Sequence, residues 1–145
     1  MSGRPGEAFP RDEHFRSFDA LPLHRALGIT LEERRPDYAR ICLRTGPVTI
    51  GGVGGSVHGG VLAAMVDIVI LAAMFSRPIE GATPAGTADL GITYLRPALT
   101  SRIYAEANVV KRGRQLNLIE VSILDEDGTL CARGRALYAL RPASG

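Results

Sequence analysis

His58-Gly59-Gly60-Val61-Leu62-Ala63-Ala64-Met65-Val66-Asp67-Ile68-Val69-Ile70-Leu71-Ala72-Ala73-Met74-Phe75 is the stretch on which the fold turns. From Val61 onward it is apolar on every side except at Asp67, and Ala, Leu and Met are good helix formers, so it reads as a helix buried on most faces. Val and Ile also suit strands, but an apolar run this long with no turn residue inside it exceeds an ordinary strand. A membrane span is excluded, because the run falls short of the roughly 20 residues a span needs and carries a carboxylate at its middle.

An ionised carboxylate on such a helix has to be paired, hydrogen-bonded or held at a wet cleft. Asp67 reads either as an internally satisfied acid or as a reactive one. Gly59 and Gly60 leave the first backbone N–H groups of the helix unobstructed, and those groups with the helix dipole favour a developing negative charge, which is the chemistry of an oxyanion site. Close packing of the loop against a strand is the other use of two glycines there. Eight residues separate Gly59 from Asp67, about 12 Å along a helix. One helix therefore cannot bring both to one reacting atom, whereas two antiparallel copies could, and the spacing itself argues for a two-fold dimer.

The sequence on either side completes an α+β domain. Phe15, Phe18, Leu21, Leu23 and Leu27 surround Pro22 and suit one or two short helical turns that end at Gly28. Ile29 to Glu33 and Tyr38 to Arg44 form a hairpin about Pro36-Asp37, the second with period-two alternation. Thr45 to Val57 is a glycine-rich loop with neither a Walker sequence nor a dinucleotide fingerprint, and Ser56 lacks the closing glycine of a nucleophile elbow. Ser76 to Pro84 reads as a connection. Four strands follow, over Thr87 to Leu95, Ile103 to Arg112, Gln115 to Leu124 and Leu130 to Leu140, separated by turn-forming residues. One long apolar helix wrapped by a curved antiparallel sheet buries both. The expected organisation is a polar tail and lead-in over 1–19, a single domain over 20–141 and a short tail over 142–145.

Composition narrows the function. The chain has 145 residues, is 46% hydrophobic and carries a net charge of +2, values of a globular domain with no nucleic-acid footprint. Cys42 and Cys131 lack a Cys-x-x-Cys spacing, so no zinc, other metal or redox site is expected. Met1 to Arg16 has no apolar signal-peptide core, and a cytoplasmic location is the expectation.

His58-Gly59-Gly60, then Asp67, then Thr87-Ala88-Asp89-Leu90-Gly91-Ile92-Thr93-Tyr94-Leu95-Arg96-Pro97-Ala98 resemble the hotdog-fold acyl-CoA thioesterases, in particular the phenylacetic-acid-degradation and thioesterase-superfamily-member type. The resemblance covers residues 20 to 141. It implies a hotdog fold, a homodimer joined sheet edge to sheet edge, and a pairing of dimers into a tetramer. It also implies that the Gly59 amide polarises the thioester carbonyl, that Asp67 of the partner subunit is general base or nucleophile, and that Thr87 positions the attacking water. His58 in this type orients the loop and the helix start. Members often carry Asn or Gln six residues before the histidine, and Gly52 stands there in this chain.

The expected activity is hydrolysis of an acyl-CoA thioester, with coenzyme A entering only as part of the substrate and with no further cofactor. Lys111, Arg112 and Arg114 read as a solvated charge run or as a clamp for the phosphates of coenzyme A, with Arg96 joining by way of an adjacent strand and Gly60 lining the substrate path. A non-catalytic acyl-CoA binder is the competing reading. A hotdog hydratase is disfavoured, because no histidine follows Asp67 in the chain.

Overall fold

The computed structural model describes residues 12–143. A lead-in of α1 (Asp12–Arg16), a 3-10 turn (Phe18–Ala20) and α2 (Pro22–Leu27) precedes the hairpin β1 (Ile29–Arg35) and β2 (Tyr38–Arg44). After the glycine loop come the central helix α3 (Gly59–Met74), then β3 (Ala82–Tyr94), β4 (Arg102–Lys111), β5 (Leu116–Leu124) and β6 (Leu130–Pro142). Of the tails expected over 1–19 and 142–145, residues 1–11 and 144–145 lie outside the described residues. Within the lead-in, Phe15 and Phe18 are buried in the core. Pro22 opens α2, where a missing N–H costs nothing, and Gly28 closes it in the left-handed conformation.

All six strands form one antiparallel sheet in the order β1-β2-β4-β5-β6-β3. Alternation sends Ile41, Leu43, Ile103, Ala105, Ala107, Ile119, Val121 and Ile123 inward, all of them buried, and α3 lies in the concave side of the sheet against them. This is the hotdog architecture that the resemblance implies. Gly134 on β6 sets how closely helix and sheet approach, because a Cβ there would lie 2.8 Å from one methyl of Val66 and 3.1 Å from the other.

The sheet has two free edges, β1 and β3. β1 carries an irregularity between Leu31 and Glu33. β3 starts earlier than expected, at Ala82 rather than Thr87. Pro84 is tolerated because an edge strand need not donate on both sides. Register shifts between Pro84 and Gly86 and between Thr87 and Asp89 bend the strand and re-aim its side chains, as bulges do.

The helix is buried over most of its surface, as expected, but Asp67 is exposed. Gly60, Ala64, Asp67 and Leu71 follow the i, i+4, i+7, i+11 spacing of one helix face, and none of the four is buried. The carboxylate therefore stands on an open stripe flanked by the buried Val66 and Ile68.

Candidate active site

The glycine loop delivers the chain to the helix start through backbone bonds from Val57 N to Ala98 O (3.0 Å) and from His58 N to Thr49 O (2.8 Å). His58 is the N-cap of α3, and its Nδ1 accepts from Gly60 N at 2.9 Å. The ring thus holds the first turn, and it occupies the Gly60 amide that the sequence reading left available to substrate. The N–H groups of Val61 and Leu62 are taken by His58 O. Gly59 N–H has no acceptor among the described residues. Of the four orphan donors that open a helix, Gly59 is the one left for a ligand.

Tyr94, at the end of β3, lies across this turn. Its hydroxyl donates to Gly59 O at 2.6 Å, and a Cβ at position 59 would come 3.2 Å from its ring. The close approach of the tyrosine is thus one reason for glycine at 59. The tyrosine was not expected as a site residue: strand alternation gives its side chain a face, but no partner 35 positions back in the chain.

Seven residues earlier on β3, Thr87 Oγ1 donates to Asp67 Oδ1 at 2.7 Å. The pair that the sequence nominated is therefore in contact, and both residues are exposed. β3 is fastened to α3 at two points, Tyr94 on Gly59 and Thr87 on Asp67. Within one chain the Gly59 amide and the Asp67 carboxylate stay about 12 Å apart along the helix.

A cavity of about 340 Å³ opens at the helix start, lined by Gly59, Gly52, Ser56, Tyr94 and Arg96 among apolar residues that include Val57 and Leu62. A second, of about 540 Å³, lies between the lead-in and the outer side of β2, where Arg25, Arg44 and Arg102 line it. Among the described residues no group of acids, histidines and cysteines is placed to hold a metal ion. Cys42 and Cys131 are free and buried, and burial is the largest cause that pushes both thiols above their ordinary pKa.

The cationic clamp needs correction. Arg112 Nε pairs with Asp37 at 2.8 Å, while its other nitrogens reach Ala73 O at 3.4 Å and Met74 Sδ at 3.9 Å. It closes the C-terminal end of α3 together with Arg34, which donates to Ala72 O at 3.1 Å and also to Phe75 O, and with Ser76, whose hydroxyl donates to Ala73 O at 2.6 Å. Cations favour that end of a helix dipole. Arg96 does not join Lys111, Arg112 and Arg114: it lines the cavity at the helix start and donates to Leu130 O at 2.9 Å. The 16-residue helix between the two groups is about 24 Å long. Lys111 and Arg114 are exposed.

Arg112→Ala is accordingly expected to cost about 1–2 kcal/mol of folding stability in urea denaturation. The ratio of KM for a coenzyme A ester to KM for a short thioester should stay unchanged. A raised ratio at unchanged stability would return Arg112 to the clamp.

The profile of the thioesterase superfamily matches residues 54–132. The medium/long-chain acyl-CoA thioesterase YigI of Salmonella typhimurium is 28% identical over 131 residues, covering 81% of this chain and 84% of that protein. The crystal structure of zebrafish thioesterase superfamily member 2 superposes with a TM-score of 0.74 at 27% identity, over 88% of this chain and 93% of that one. A point mutant of the phenylacetic acid degradation protein PaaI from Thermus thermophilus shares the fold, with a TM-score of 0.70 at 24% identity over 81% of this chain and 97% of that one. No described helix is long and apolar enough to cross a membrane. On its sequence and its fold alike, the chain belongs to the thioesterase superfamily.

Proposed function

We propose that the chain hydrolyses acyl-CoA thioesters to a free acid and coenzyme A at a site shared by two subunits. The observation that carries this reading is Asp67, the one acid on an otherwise apolar helix, exposed and held by Thr87 Oγ1. The relative YigI, named for the same activity on medium- and long-chain esters, supports it.

The chemistry needs an electrophile stabiliser and a base on opposite sides of one carbonyl. The thioester oxygen would rest on Gly59 N–H of one subunit. Asp67 of the partner subunit would take a proton from the attacking water, and Thr87 would orient acid and water. The water oxygen bonds to the carbonyl carbon, charge gathers on the carbonyl oxygen, and collapse breaks the C–S bond to release the thiolate of coenzyme A. Direct attack by Asp67 as nucleophile fits the same placement. The free edge of β3, which carries Thr87, is the margin along which two copies would join into a homodimer, with a dimer of dimers as the larger assembly. The acyl group would lie along the open stripe beside Ala63 and Ala64, both half-buried. Of the cations nominated from the sequence, the exposed Lys111 and Arg114 at one end of the helix, or the exposed Arg96 at the other, would meet the nucleotide phosphates.

A screen of coenzyme A esters, short to long and aromatic, tests this with thiol release as readout. The expected result is turnover with kcat/KM of about 10⁴ M⁻¹s⁻¹ or more for the best ester. Tight binding of these esters with no turnover of any would leave the competing reading, a non-catalytic acyl-CoA binder.

A further inference from the structure

We infer that the Ser56 hydroxyl is a second hydrogen-bond donor to the thioester carbonyl oxygen, working beside Gly59 N–H. Ser56 is only 4% exposed. Its backbone is fully used: the N–H donates to Val53 O at 3.3 Å, and the carbonyl accepts from Gly51 N at 3.1 Å and Gly52 N at 2.9 Å. Its side-chain oxygen has no partner among the described residues, although the residue lines the cavity at the helix start. The oxygen is open to that cavity rather than sealed away, so a ligand or a water can accept from the hydroxyl.

Gly59, whose amide is also unspent, lines the same cavity, among walls supplied by Val53, Val57, Leu62 and Pro97. Two residues with free donors on the wall of one largely apolar cavity are the makings of an oxyanion site, because fixed dipoles stabilise the charge that develops there. Residue 52 explains why the second donor is a serine. A Cβ on Gly52 would fall 2.3 Å from Ser56 Oγ and 2.9 Å from Val57 O. The loop is folded so that the serine hydroxyl fills the space a side chain at 52 would enter. In the reaction Ser56 keeps its proton. It donates a hydrogen bond that strengthens as the carbonyl oxygen gains charge, and relaxes when the C–S bond breaks.

The inference rests on the thioester-hydrolase reading, and its test separates the two. Ser56→Ala should lower kcat about 10²-fold with KM nearly unchanged. The melting temperature should hold, since the hydroxyl makes no hydrogen bond to the described residues. Infrared spectra of a bound ketone analogue, in which a methylene replaces the thioester sulfur, should show the carbonyl stretch moving back toward its free value in the variant. An unchanged kcat, or a loss of kcat with a lower melting temperature and the same carbonyl stretch, overturns the role. A wild-type protein without turnover would refute the hydrolase reading, while the carbonyl stretch would still decide Ser56.

Discussion

Asp67→Asn should lower kcat for the best coenzyme A ester by about 10²- to 10⁴-fold, the range that a positioned general base supplies. Asn keeps the volume and still accepts from Thr87 Oγ1, so what is removed is the negative charge and the capacity to take a proton. Because Asp67 is exposed and its recorded hydrogen bond is the one from Thr87, stability should move by no more than about 0.5 kcal/mol, as surface substitutions usually do. KM for the ester should change little. Steady-state kinetics together with a thermal melt checks both halves. Full activity in the variant would remove Asp67 from the mechanism, and a collapsed melt would make it a structural acid.

The largest effect on stability is expected at Gly134→Val. Valine suits strands better than glycine, and that preference would favour the variant by up to about 1 kcal/mol. Against it stands the contact with Val66, fully buried on α3, where even a lone Cβ would lie 2.8 Å away. Neither partner is the tip of a flexible chain, so helix and sheet must part. Overpacking of this kind costs about 3 kcal/mol, a fall in Tm of roughly 10 °C for a chain of this size. Val66 precedes Asp67, so the shift should also displace the acid and lower kcat. Val66→Ala combined with Gly134→Val should recover part of the loss, since residues in direct contact are not additive. A Gly134→Val protein as stable as the wild type would show that helix and sheet are less tightly packed than described.

The helix, the hairpin and the four later strands were legible because each is written in local pattern: an unbroken apolar run, alternation and turn chemistry. His58, Gly59 and Asp67 stood out for the same reason, being polar or bare positions in an oily stretch. The start of β3 was not legible, since Pro84 and Gly86 punctuate a sequence as loops do and only the strand's place at the sheet edge admits them. The ion pair of Arg112 was not legible, because its partner, Asp37, lies 75 positions away, and a cation beside Lys111 and Arg114 looks solvated until the helix end arrives to meet it. Ser56 showed no signal of its own. What marks it is a hydroxyl left over once every backbone bond of the loop is counted.

The margins of the sheet differ in a way that bears on how far self-association can run. Glu32, Glu33, Arg34 and Arg35 crowd the outer hairpin strand, whose ladder also slips beside Leu31, and charge with irregularity discourages another strand from adding there. Head-to-tail stacking of this molecule would require that margin to accept a neighbour's β3, and such stacking has no natural end. With one side inhospitable, growth along β3 would stop after a first union, and a chain with a bare strand at its rim would escape becoming a fibre.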